Sequence, residues 1–79
     1  MDDVAAQAER RDMTQHIQEA MHQLSEEHRL VLILRHYHGF SYEGISQALG
    51  ISVGTVKSRI HYALVKLREE LQRWGLLEA

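Results

Sequence analysis

The chain has 79 residues, nine Lys or Arg against eleven Asp or Glu, and neither cysteine nor proline. That length makes one small domain with a modest core, and the missing cysteines exclude a disulfide framework and any thiolate metal or redox site. No apolar run approaches the roughly eighteen residues of a membrane span and no signal-peptide pattern is present, so the expectation is a soluble, cytoplasmic, all-helical protein.

Met13, Ile17, Met21 and Leu24 recur at helical spacing and predict an amphipathic helix over about residues 5–23, frayed at its first residues including Met1. A second helix is expected over 26–38. Its Leu30-Val31-Leu32-Ile33-Leu34 run would suit a buried strand on periodicity alone. Ser25 as cap, Glu26 and Glu27 in the first turn, Arg35, His36 and His38 near the end and Gly39 as stop favour a helix. Apolar nearly all round, it should be central in the bundle, with Phe40 plugging the corner that follows.

Residues 41–61 hold the most informative pattern. Ser41 reads as an N-cap, Ile45, Ala48 and Leu49 share one helical face, and Gly50 follows where a helix end tolerates a left-handed residue. Ser52 then caps a second helix two residues later. Such a short turn forces two helices to cross steeply, which is the helix-turn-helix layout.

The second of those helices divides by face. Val53, Val56, Ile60, Ala63 and Leu67 form one apolar stripe, while Lys57, Ser58, His61 and Tyr62 form a polar stripe turned away from it. A cation, a hydroxyl, an imidazole and a phenol there suit phosphates and base edges, and Gly54 would let the backbone approach a phosphate closely. A net charge of −2 is no obstacle when it is resolved along the chain. From Ile51 to Arg68 stand Lys57, Arg59, Lys66 and Arg68 with no Asp or Glu, whereas Asp2, Asp3, Glu9, Asp12, Glu19, Glu26 and Glu27 lie upstream. So small a basic patch predicts weak, salt-sensitive DNA binding.

The run Gly-Phe-Ser-Tyr-Glu-Gly-Ile-Ser-Gln-Ala-Leu-Gly-Ile-Ser-Val-Gly-Thr-Val-Lys-Ser-Arg-Ile resembles the fourth conserved region of bacterial RNA polymerase sigma factors, above all those of the extracytoplasmic-function class. The resemblance extends from Leu24-Ser25-Glu26-Glu27-His28-Arg29 through Leu34-Arg35-His36-Tyr37 to Ala63-Leu64-Val65-Lys66-Leu67-Arg68, and Val-Gly-Thr-Val-Lys-Ser-Arg is its most specific block. It implies an all-α, four-helix fold without a winged element: a lead-in helix in 1–24, a central helix in 25–39 and a helix-turn-helix in 41–74, all one domain over 1–79. It also implies recognition of the promoter −35 element, docking on the flap of the polymerase β subunit, control by an anti-sigma factor, and a monomer cut from a longer chain. By the same resemblance Ser52, Thr55, Lys57, Ser58, His61 and Tyr62 stand at DNA-facing positions, Lys57 among them as a phosphate contact, and Arg35, Ser41 and Arg59 contact the DNA backbone. Ser25 and Ser52 stand where many relatives have proline, and Gly44 where an acidic residue is usual, which removes a capping-box partner for Ser41.

More apolar surface is present than one core needs. Leu64, Leu67, Leu71 and Trp74 are either core and helix-end packing or a hydrophobic groove for a partner helix, which the resemblance would assign to the polymerase flap or an anti-sigma factor. Six histidines raise the question of a metal, but His36 and His38 point about 200° apart on a helix and no His-Glu-x-x-His run occurs. No metal, no cofactor and no catalysis are expected. Two rival readings remain. A DNA-binding output domain of a two-component or quorum-sensing regulator would usually continue Gly-Thr-Val-Lys with Thr-His, where this chain has Ser58-Arg59. A helical adaptor that binds only protein would use the helix-turn-helix as scaffold.

Overall fold

In the computed structural model, which describes residues 4–78, the chain runs through four α-helices. They are α1 (Val4–His22), α2 (Glu26–Leu32), α3 (Tyr42–Leu49) and α4 (Val53–Arg73), with a π-helical turn, Ile33–Tyr37, continuing α2. No strand occurs among the described residues. The expected fraying at Met1 concerns residues outside those described.

Every helix after the first begins at a serine. The Ser25, Ser41 and Ser52 side chains accept from the amides of His28, Gly44 and Thr55 at 3.2, 2.9 and 3.0 Å. Each cap satisfies one of the amides that a helix start leaves without a partner. Gly44, which offers Ser41 no capping-box carboxylate, lies in the first turn of α3 and supplies the amide for that cap.

The turn between α3 and α4 is closed from the other side by Gly50. Its φ of 68° and ψ of 34° place it in the left-handed region. The amides of Gly50 and Ile51 both donate to the Ser46 carbonyl, at 2.9 and 3.1 Å, and the Ser46 hydroxyl donates to the carbonyl of Ile51. Ser46 therefore ties both ends of the turn.

The core lies where α2, α3 and α4 meet. Leu24, Val31, Leu32, Ile45, Val56, Ile60 and Ala63 are buried together, with Met21, Leu34, Tyr42, Leu49, Ile51 and Leu67 half-buried around them. The predicted α4 stripe thus packs inward. It runs on to Glu70, whose exposure is only 2%. One carboxylate oxygen of Glu70 meets both Lys66 Nζ at 3.2 Å and Arg73 Nη1 at 3.5 Å, and this pairing makes its burial tolerable. Arg29 joins α2 to the end of α1 by donating to the Met21 and Leu24 carbonyls.

Five expectations are corrected. The helix expected over 26–38 widens into the π turn at Ile33, where the His38 amide reaches the Ile33 carbonyl five residues back, at 3.0 Å. Leu30 is 41% exposed, so this element is not buried all round. Met13 and Ile17 are similarly exposed, because α1 overhangs the bundle and buries only Ala20 along its length. Phe40 is exposed rather than plugging its corner, and Ala48 points outward while Ile45 carries the packing of α3. Among the described residues no helix is long and apolar enough to cross a membrane.

A Cβ at Gly50 would meet no atom within 4 Å, so substitution there tests backbone strain alone. Gly50→Ala is expected to lower stability by about 1–2 kcal/mol, read as a shift in the urea midpoint without a change in slope. An unchanged midpoint would show that the turn does not constrain the fold.

Candidate nucleic-acid interface

Helix α4 starts at the turn and presents its first three turns in two directions. Val56, Ile60 and Ala63 are buried against α2 and α3, while Lys57, Ser58, His61 and Tyr62 are all exposed on the opposite side. The structure therefore brings these four predicted residues onto one open face. The His61 and Tyr62 rings lie 5.1 Å apart at 72°, an edge-to-face contact between neighbours that orders both. Ser52 and Thr55 sit at the tip of the same helix. Their hydroxyls share a hydrogen bond at 2.9 Å while Ser52 caps the Thr55 amide, which leaves each oxygen further bonding capacity.

The predicted backbone contacts are spread more widely. Ser41 is exposed, with its hydroxyl engaged as the cap of α3. Arg35 leaves the π turn and donates to the Phe40 carbonyl at 2.8 Å. Its guanidinium carbon lies 4.8 Å from the centre of the Tyr42 ring, and Lys57 Nζ lies 5.7 Å from the same centre. Arg59 stands apart from this group. Its side chain is only 25% exposed and pairs with Glu27 of α2 at 3.8 Å, so the structure uses it to tie α4 to the start of α2.

The apolar candidates also divide. Leu64 and Leu67 help line a groove of about 450 Å³ together with Ile17, Met21, Ile33 and Tyr37. Leu71 and Trp74 are half-buried and lie outside that lining. Trp74 packs on His16 of α1, with ring centres 5.3 Å apart, and so serves the α1–α4 contact. Among the described residues no group of three or more His, Asp or Glu side chains could hold a metal ion.

Residue-type reasoning passed over Tyr42, Arg29 and Glu70. Tyr42 shares the inward stripe of α3 with Ile45 and Leu49, so its packing follows from helical period, but the convergence of Arg35 and Lys57 on its ring does not. Only cations on two other elements reveal its place, and their nearness depends on the fold.

A bracing helix, a glycine-closed turn and a second helix with a buried stripe and an open polar face define a helix-turn-helix domain of the kind that docks in a DNA major groove. A family model described as Sigma-70, region 4 matches residues 20–69, well over half the chain, and the chain belongs to that family. It is 50% identical over 60 residues to the ECF RNA polymerase sigma factor SigL of Mycobacterium tuberculosis, covering 76% of this chain and 34% of that protein. It is 48% identical over 56 residues to an RNA polymerase sigma-E factor of Streptomyces antibioticus, covering 71% and 31%. To the RNA polymerase sigma factor CarQ of Myxococcus xanthus it is 37% identical over 59 residues, covering 75% and 34%. The chain thus spans about a third of the length of these relatives.

Ser52 carries both the cap of α4 and the hydroxyl pair at its tip. Ser52→Ala is expected to lower stability by about 1 kcal/mol in chemical denaturation, with earlier amide exchange at Thr55 than at Ile60. Equal loss of protection at the two positions would contradict a local role.

Proposed function

We propose that this chain is the promoter-recognition domain of an extracytoplasmic-function sigma factor, which reads the −35 element and so directs RNA polymerase to particular promoters. The observation that carries this reading is the open face of α4, where Lys57, Ser58, His61 and Tyr62 stand together beside a capped helix start. The family membership and the names of the relatives support it. Lys57 and Arg35 supply phosphate contacts that position the helix, and Ser58, His61 and Tyr62 supply contacts to base edges. Ser52, Thr55 and Ser41 lie close enough to the helix starts to bond phosphate oxygens through hydroxyl and amide groups. Arg59 contributes through its pair with Glu27, by holding α4 against α2. The domain works as a monomer on an asymmetric site, in the cytoplasm where polymerase resides, and without catalysis of its own.

The groove lined by Leu64 and Leu67 is the surface offered to protein partners. Its apolar lining suits an amphipathic helix, and the polymerase β flap and an anti-sigma factor are the partners the family reading supplies. An anti-sigma factor seated there would compete with the flap and silence the domain. Trp74 acts at one remove, by packing on His16 of α1.

Fluorescence anisotropy with a −35 duplex and a shuffled duplex separates the roles on α4. Lys57→Ala is expected to weaken both complexes alike and to reduce the salt slope by about 1. Ser58→Ala and His61→Ala are expected to cost about 1–3 kcal/mol on the −35 duplex and little on the shuffled one. Equal losses on both duplexes would remove these two residues from base reading.

Leu64→Asp places a charge in the groove and keeps every side chain proposed to contact DNA. It is expected to abolish capture of polymerase core by the domain while duplex affinity stays within about twofold of the parent. Unchanged capture would move the partner surface elsewhere.

A further inference from the structure

Tyr42 lies at the meeting point of three elements. It is the first residue of α3, half-buried against the core cluster, and its ring has one cation from the π turn and another from α4 beside it. Arg35 Cζ is 4.8 Å and Lys57 Nζ is 5.7 Å from the ring centre. Both distances fall within the roughly 6 Å over which an aromatic quadrupole attracts a cation. Two long cationic side chains held this close to one point repel each other and lose rotamer freedom. The electron-rich ring offsets the repulsion, and core packing keeps the ring still. Arg35 is fixed further by its bond to the Phe40 carbonyl at 2.8 Å.

We infer that Tyr42 is a positioning residue that holds Arg35 and Lys57 together as one preformed phosphate-binding pair. This inference rests on the reading that the exposed face of α4 meets DNA. An anion approaching that face meets two guanidinium or ammonium groups already ordered, so less side-chain freedom is lost on binding than two free surface cations would lose. The ring, and not the phenolic hydroxyl, does the positioning. The pair meets phosphate alone, so Tyr42 affects affinity for every sequence equally.

The test uses the whole chain with the −35 duplex and the shuffled duplex, comparing Tyr42→Leu, Tyr42→Phe, Lys57→Gln and Arg35→Gln. Tyr42→Leu, with its fold checked by core amide shifts, is expected to bind both duplexes about threefold to tenfold more weakly. Tyr42→Phe keeps the ring and is expected to stay within about twofold of the parent. In the parent, the side-chain methylene protons of Lys57 and Arg35 are expected upfield of their usual positions because of the ring current. That signature persists in Tyr42→Phe and vanishes in Tyr42→Leu. Absence of the upfield shifts in the parent overturns the inference without any variant, so a poorly folding leucine form does not shield it. It also fails if Tyr42→Phe loses as much affinity as Tyr42→Leu. If Lys57→Gln and Arg35→Gln both weaken binding while folded Tyr42→Leu does not, the positioning role alone falls. If neither cation variant weakens binding, the DNA-face reading falls and takes this inference with it.

Discussion

The turn from Leu49 to Ser52 constrains everything else in this small domain. Ser46 accepts two amides across it, Gly50 adopts the left-handed conformation that lets the chain reverse, and Ser52 restarts the helix within two residues. So short a connection leaves α3 and α4 few relative orientations. In the orientation adopted, Ile45 is fully buried against the same cluster as Val56 and Ile60. Burying Ile45 and Val56 completely contributes about 1.5–3 kcal/mol each, a large share for a domain of this length. The same orientation turns Lys57, Ser58, His61 and Tyr62 outward. Stability and the exposed polar face of α4 are therefore two consequences of one backbone feature.

The rest of the fold supports that unit from behind. Arg29 holds the end of α1 to α2, Arg59 holds α4 to the start of α2 through Glu27, and Trp74 rests on His16. These are polar or aromatic fasteners around a core that is small in itself. The π turn has a different effect. By widening α2 at Ile33–Tyr37 it brings Arg35 to the ring of Tyr42, and through Tyr42 to Lys57. It also places Ile33 and Tyr37 in the apolar groove shared with Leu64 and Leu67. One irregular turn thus borders both surfaces, the one proposed for DNA and the one proposed for protein partners.

What was legible in the sequence was what local rules govern. The three serine caps, the stop at Gly50 and the buried stripe of α4 follow from hydrogen-bonding needs and helical period, and each is present. The exposed face of α4 follows from the same period. Where packing overrode the pattern, local rules misled. Met13 and Ile17 fit an apolar stripe, but α1 extends past the helices that could cover them. Leu30 belongs to an apolar run, yet successive helical residues turn by about 100°, so the run cannot all face one core. Glu70 occupies a stripe position that asks for an apolar side chain, and only the fold brings Lys66 and Arg73 onto one of its oxygens. Arg59 looked like one more cation of the basic segment. Its pairing across to Glu27, thirty-two positions upstream, is a tertiary fact that spacing along one helix does not carry.

Electrostatics limits how the domain can act. Five of its nine Lys and Arg residues lie on α4, and Arg35 stands in the π turn, in a chain whose net charge is −2. A patch of that size would steer DNA without gripping it tightly, in keeping with the proposed role as one module of a larger assembly. The most direct test of the central claim is an amide NMR titration of this chain with a duplex carrying an AAC-type −35 core and with a shuffled duplex. Amides from Ser52 to Tyr62 are expected to shift with both duplexes and to shift more with the −35 duplex. If neither duplex perturbs that stretch, the face of α4 is not a DNA-reading surface and the account is contradicted.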